Sequence, residues 1–183
     1  MEEIIPGRFL DPELILQEAA VAAGSLVADF GCGSGYFSIV AARRVGNSGK
    51  VYALDVLPSA LDVVVSRAKM LELTNIETVR VNLEREKGSK LDEASVDWVF
   101  IKDMLFQNKK KAVILAEAHR ILKPTGKAVV VEWQEQTGTV GPAAEIRIKE
   151  KELQKMVEKA GFTIENKIDA GDFHYGVIVR KQA

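Results

Sequence analysis

The run Val27-Ala28-Asp29-Phe30-Gly31-Cys32-Gly33-Ser34-Gly35-Tyr36 ends an apolar stretch in three alternate glycines and passes directly into a helical pattern. A backbone that must turn tightly and let a ligand approach unobstructed uses several glycines, whereas an ordinary strand-to-helix connection rarely needs three. The chemistry this spacing offers is a cradle for a nucleotide. Such a site holds a ribose with a carboxylate about 20 residues further on, at the end of the next strand. Asp55 closes Lys50-Val51-Tyr52-Ala53-Leu54 and stands 20 residues after Gly35. One ionised carboxylate can accept from both vicinal hydroxyls of a ribose; the alternative role for Asp55 is to cap the helix that opens near Pro58.

The spacing also separates cofactors. A dinucleotide turn reads G-x-G-x-x-G/A and wants a small residue at its sixth position, which here is Tyr36. The pattern G-x-G-x-G, with Asp29 two positions upstream, instead resembles motif I of the class I S-adenosylmethionine-dependent methyltransferases. The resemblance continues through Asp55, Asn82-Leu83, Ser95-Val96-Asp97-Trp98-Val99-Phe100 and Arg120-Ile121-Leu122-Lys123-Pro124-Thr125-Gly126-Lys127, and reaches the Gly161-Phe162 start of a terminal hairpin. It implies S-adenosylmethionine as cofactor, S-adenosylhomocysteine as product, and a binding set of Asp29, Gly31, Cys32, Gly33, Gly35, Asp55, Val56, Asn82, Leu83 and Lys102. Within that set Asp29 either orients the loop or holds the methionine ammonium. Asn82 stands where many relatives carry aspartate, and its amide oxygen either accepts from the adenine amino group or simply forms a turn. Closest in texture are the small-molecule and quinone-type members of the broad Gly-Cys-Gly-Thr/Ser-Gly group.

The elements that must position these residues alternate along the chain without a repeat or composition break, so a single domain over residues 1–183 is expected. It divides into an N-terminal helix and lid segment (1–24), a cofactor-binding core (25–133) and a lid loop, helix and hairpin (134–183). Asp11-Pro12 reads as an N-cap with proline at the first helical position, and Gly24 as the end of that helix. Further helices show in Phe37, Val40, Ala41 and Val45, in Leu61, Val64, Val65, Ala68 and Leu71, in Ile114, Ala118, Ile121 and Leu122, and in Leu153, Met156, Val157 and Ala160. Strands are expected at 26–30, 50–55, 76–81, 96–101, 127–132, 162–168 and 175–180. Right-handed crossovers make this an α/β, doubly wound, mostly parallel seven-stranded sheet with helices on both faces, its ligand crevice at the carboxyl ends of the strands. The resemblance implies the strand order 3-2-1-4-5-7-6.

Methyl transfer asks the protein for alignment, exclusion of water and sometimes removal of a proton. Lys102-Asp103-Met104-Leu105-Phe106 follows the fourth strand, nearest the expected methyl group, and Asp103 is the candidate base or orienting group; capping or solvation is its bland alternative. No Asn-Pro-Pro-Tyr or Asp-Pro-Pro-Tyr stands there, which argues against the adenine and glutamine amino-methyltransferases. Asp103 and Glu132 are a conceivable carboxylate pair, but the aspartate-asparagine doublet of the metal-assisted catechol type is missing, and no metal is expected. Asp97 reads as structural, His119 as surface, and His174 as a residue within possible reach of a substrate.

With 25 Lys and Arg against 26 Asp and Glu, no global basic field advertises a nucleic-acid partner. The lone Cys32 excludes an internal disulfide, no apolar run approaches the ~20 residues of a membrane span, and the N-terminus lacks secretory features. A cytoplasmic enzyme with a small-molecule acceptor is the expectation. Residues 1–12, the segment after the fourth strand and residues 134–148 are expected to form the acceptor pocket. A protein or RNA acceptor at an open edge, a non-catalytic S-adenosylmethionine-binding protein and a nicotinamide-dependent oxidoreductase are the alternatives.

Overall fold

The computed structural model describes residues 7–135 and 140–182. Helix α1 (Pro12–Glu18) precedes β1 (Leu26–Phe30), α2 (Tyr36–Val45), β2 (Lys50–Asp55), α3 (Pro58–Met70) and β3 (Ile76–Arg80). After a charged loop come β4 (Val96–Lys102), α4 (Lys111–Ile121), β5 (Leu122–Trp133), a short 3-10 turn (Ala144–Ile146), α5 (Glu150–Lys159), β6 (Phe162–Ile168) and β7 (His174–Lys181). The strands form one seven-stranded sheet in the order β3-β2-β1-β4-β5-β7-β6. The first five are parallel, and β7 runs antiparallel to both β5 and β6.

The central strands read as near-continuous apolar runs because both faces are covered. Their period of two sorts the side chains: Val99, Ile101, Ala128 and Val130 pack on the face carrying α4 and α5, while Trp98, Phe100, Val129 and Val131 pack on the face carrying α1 and α2. Asp97, at the start of β4, is structural as expected: it accepts from the Leu26 N–H at 2.8 Å and pairs with Lys123 at 2.8 Å.

Several expectations need correction. Helix α1 stops at Glu18, not Gly24. Ala20 takes a left-handed φ of 57° there, with Val21 N–H donating to Leu16 O and Ala20 N–H to Gln17 O. This is a Schellman stop closed by the buried Leu16 and Val21, with alanine where glycine is usual. Strand β5 begins at Leu122 and not at Lys127, because Leu122 pairs with Val96 before a register shift, and pairing resumes at Lys127 with Trp98. In α3, Val65 and Leu71 lie exposed, because the helix turns Leu61, Val64 and Ala68 to the sheet and they fall off that stripe. His119 is half-buried, its ring edge-on to Phe162 at 5.1 Å, and not free on the surface. Strand β7 opens one residue early, which places His174 in the ladder opposite Trp133.

Candidate active site

The turn between β1 and α2 is hung from the neighbouring strand: the Gly31 and Cys32 N–H groups both donate to Leu54 O, at 2.8 and 3.0 Å. Two of its glycines are required for different reasons. Gly33, at φ 51°, has nothing within 4 Å of where a Cβ would stand, so its face is open to an approaching ligand. Gly35, at φ 76°, would place a Cβ 2.8 Å from Val64 Cγ2, so its lack of a side chain lets α3 close against the loop.

Asp55, at the carboxyl end of β2, ties this loop down. One carboxylate oxygen accepts from the Gly33 N–H and the other from the Leu57 N–H, both at 2.9 Å. Each oxygen keeps a further lone pair, so the carboxylate can serve the loop and a pair of hydroxyls together. Beneath the loop Asp29 is almost wholly buried and accepts from Ser38 Oγ at 2.5 Å, pinning β1 to α2. Burial pushes its carboxyl up to about 6, against the opposing pull of the Ser38 hydrogen bonds and the Lys102 charge. Of the two roles open to Asp29, this geometry matches orienting the loop.

A cleft of about 420 Å³ opens over these groups, and Gly31, Gly33, Asp55, Val56, Asn82 and Leu83 all line it. The other four residues of the expected binding set lie outside its lining. Cys32 packs with Ala53, Leu61 and Val64, and burial pushes its thiol far above the usual range, which leaves it inert. Gly35 serves helix packing, Asp29 the loop's anchorage, and Lys102 an ion pair with Asp103. Asn82 Oδ1 accepts from the Glu84 N–H at 3.0 Å, the turn-forming arrangement, while the residue still faces the cleft.

Past the fourth strand the chain brings together groups far apart in sequence. Asp103 has a left-handed φ of 51°, fixed by its N–H donating to Val131 O at 2.9 Å. Its Oδ2 meets both Lys102 Nζ and, at 3.1 Å, His174 Nε2. Glu132, fully buried, accepts from the Leu105 N–H at 2.8 Å; burial, helped by the Asp103 charge, pushes its carboxyl up to about 8. Asp103 Oδ1, Glu132 Oε2 and His174 Nδ1 are buried without a hydrogen-bond partner. Among the described residues no group of three or more His, Cys, Asp or Glu is placed to hold a metal ion.

Sequence reasoning underrated His174 and overlooked Trp133, whose ring lies 4.2 Å from the His174 imidazole. The buried acid that the sequence does not single out, Glu117, is structural: it accepts from Ser89 and Arg120, and those hydrogen bonds outweigh burial and hold its carboxyl below the usual range. Of the expected acceptor-pocket segments, residues 1–6 and 136–139 lie outside the described residues. In the remainder, Arg8 reaches Asp169 at 2.6 Å, Phe9 stacks on Phe173 at 4.5 Å, and the buried Arg147 donates to the carbonyls of Gln134, Val140 and Pro142.

A glycine turn and ribose-type carboxylate at the carboxyl edge of a 3-2-1-4-5-7-6 sheet define a nucleotide-cofactor enzyme of the methyltransferase type. A family model described as a methyltransferase domain matches residues 22–173, and the chain belongs to the class I S-adenosylmethionine-dependent methyltransferases. A demethylmenaquinone methyltransferase of Oceanobacillus iheyensis is 32% identical over 117 residues, which are 64% of this chain and 48% of that protein. One from Bacillus mycoides is 31% identical over 117 residues, with 64% and 48% covered. The chain thus spans about half the length of these curated relatives. Among solved structures, a SAM-dependent methyltransferase from Aquifex aeolicus superposes with a TM-score of 0.86 at 26% identity, over 93% of this chain and 89% of that one. An arsenic(III) S-adenosylmethionine methyltransferase from Chlamydomonas reinhardtii shares the fold, with a TM-score of 0.68 at 22% identity over 87% of this chain and 64% of that one. Among the described residues no helix is long and apolar enough to cross a membrane.

Proposed function

We propose that this chain transfers a methyl group from S-adenosylmethionine to a small-molecule acceptor. The observation that carries the reading is the open face of Gly33 directly beside the Asp55 carboxylate, in a cleft of about 420 Å³. That volume is of the size that holds a nucleoside-sized ligand. The fit is chemical as well as spatial: Asp55 retains free lone pairs for ribose hydroxyls, and Val56, Val81 and Leu83 offer apolar walls for a base. When bound, S-adenosylmethionine supplies an electrophilic methyl group on a sulfonium. The chain's own work is to hold the nucleoside with Asp55 and the loop, to keep that loop in register through Asp29 and Ser38, and to align an acceptor at the end of β4.

A small acceptor is supported by the names of the curated relatives, which point to a quinone-type compound, and by the near balance of 25 basic and 26 acidic residues, which offers no general attraction to RNA. The test is calorimetric titration with S-adenosylhomocysteine alongside thermal melting. Binding in the micromolar range is expected, with a stabilisation of about 2.7 kcal/mol at one hundred times the dissociation constant. Gly33→Val should fold and lose this binding. A melting curve unmoved by millimolar ligand overturns the cofactor assignment. Labelled donor with a reduced demethylmenaquinone then tests the acceptor class separately.

A further inference from the structure

We infer that His174 is the base that receives a proton from the acceptor, that Asp103 is its positioning residue, and that the acceptor is an aromatic or enolic compound bearing an ionisable hydroxyl. The inference rests on the methyl-transfer reading above and adds to it the residues that handle the proton. Four observations converge. First, His174 Nε2 lies 3.1 Å from Asp103 Oδ2, so the carboxylate holds that nitrogen as the N–H donor. Second, the other ring nitrogen, Nδ1, is buried without a hydrogen-bond partner in a residue only 4% exposed. A bare imidazole nitrogen away from water is an unsatisfied acceptor that a hydroxyl donor would complete. Third, the left-handed backbone of Asp103, with its N–H donating to the Val131 carbonyl, points its carboxylate at the imidazole. Fourth, the ring has an aromatic neighbour, Trp133, at 4.2 Å, and the preceding residue, Phe173, packs against Phe9.

The pair stands at the edge of the cofactor cleft and outside its lining: Asp103 is the chain neighbour of Met104, which lines the cleft and lies against Gly31. The charged and titratable groups around the pair are Lys102, which shares Asp103 Oδ2, and Glu132, which sits at the end of β5 opposite Tyr175 and whose burial favours its neutral form. With Lys102 and a neutral Glu132 beside it, Asp103 stays the one carboxylate that faces the imidazole. The proton step balances simply. The acceptor O–H bond breaks as an N–H bond forms on His174 Nδ1. The electron pair left on oxygen, or on a ring carbon conjugated with it, forms the bond to the methyl carbon as the carbon–sulfur bond breaks and its pair returns to sulfur. Transfer to carbon is completed by loss of the ring C–H proton to solvent.

The chain holds two histidines, so imidazole nitrogen spectra of the full-length protein are read directly, with His119→Gln to assign them. Wild type should show the His174 proton on Nε2 and Nδ1 bare, and Asp103→Asn should lose that preference, because an amide no longer favours a donor at Nε2. Protein saturated with S-adenosylhomocysteine is then titrated with 1,4-dihydroxynaphthalene and with 1,4-dimethoxynaphthalene under reducing conditions. The dihydroxy compound should move the Nδ1 resonance and the dimethyl ether should not. His174→Gln should weaken binding of the dihydroxy compound about threefold to tenfold, the worth of one hydrogen bond, and leave S-adenosylhomocysteine affinity unchanged. A wild-type proton on Nδ1 overturns the inference, as does an Nδ1 resonance that responds to both compounds or to neither. Failure of S-adenosylhomocysteine to bind would instead strike the methyl-transfer reading, and the tautomer measurement on the free protein would still stand.

Discussion

Replacing Asp55 by alanine perturbs two things at once, and the structure gives the size of each. Its two oxygens accept from the Gly33 and Leu57 N–H groups, both at 2.9 Å, and the residue is 9% exposed. Hydrogen bonds to a charged group contribute about 1.5–3 kcal/mol each, and water entering from the cleft recovers part of that for the two orphaned N–H groups. A net destabilisation of about 2–3 kcal/mol follows, which for a chain of this size lowers the melting temperature by about 4–12 °C. Affinity for S-adenosylhomocysteine should fall further, by about 10- to 150-fold, since the hydroxyl bonds are of the same strength. Asp55→Asn should be little better for the free protein, because one amide NH₂ must face an N–H donor. The assay is paired: melting without ligand, and calorimetric titration with S-adenosylhomocysteine and its 2′-deoxyribose analogue. Wild type should prefer the full ribose and Asp55→Ala should bind the two alike. If the mutant still discriminates the sugars as wild type does, another group holds the ribose. A melting temperature unmoved by Asp55→Ala would show that the loop does not depend on this tether.

The two cradle glycines should separate by readout. Gly35→Ala meets Val64 at 2.8 Å as well as a left-handed φ, and should cost about 2–4 kcal/mol in urea unfolding, whereas Gly33→Ala carries only the backbone cost of about 1–2 kcal/mol; equal losses would contradict the packing role. Glu132 should make stability depend on pH. Its folded carboxyl is raised from 4.5 to about 8, so the native state holds a proton the unfolded chain releases, and this contribution is full below 4.5 and is lost as pH rises through 8. Glu132→Gln, which keeps an acceptor for the Leu105 N–H, should therefore gain on wild type by a few kcal/mol between pH about 5 and 9; parallel unfolding curves across that range would refute it. Arg120→Met removes two hydrogen bonds of 2.8 Å from the buried Glu117 and should cost about 3 kcal/mol in chemical unfolding, a value under 1 kcal/mol showing that Ser89 alone satisfies that carboxylate.

What the sequence discloses and what it hides divide along a physical line. Alternating apolar runs and helical stripes are local signals, so the strands and the sheet were legible, and the strand order followed from the resemblance. The Schellman stop at Ala20 was not, because alanine advertises no left-handed backbone, and the strand from Leu122 was not, because a register shift hides its first pairing. Gly31, Gly33 and Asp55 were legible as a set because their spacing is itself the signal. The reason for Gly35 was not, since it depends on Val64 in a different helix. The second duty of Asp55 escaped notice for the same cause: an acceptor for the Gly33 N–H can be recognised only when β1 and β2 lie side by side.

The His174 pair carries this furthest. Asp103 and His174 are separated by 71 positions, and no periodicity connects them. They meet because β7 inserts beside β5 and extends one residue further than its apolar pattern requires, to pair His174 with Trp133. Were the strand to begin at Tyr175, the histidine would belong to the preceding turn, which Arg8 and Phe9 clasp through Asp169 and Phe173. The antiparallel hairpin that closes the sheet thus does more than cover the edge of β5: it places a side chain at the same carboxyl edge to which the parallel strands bring theirs.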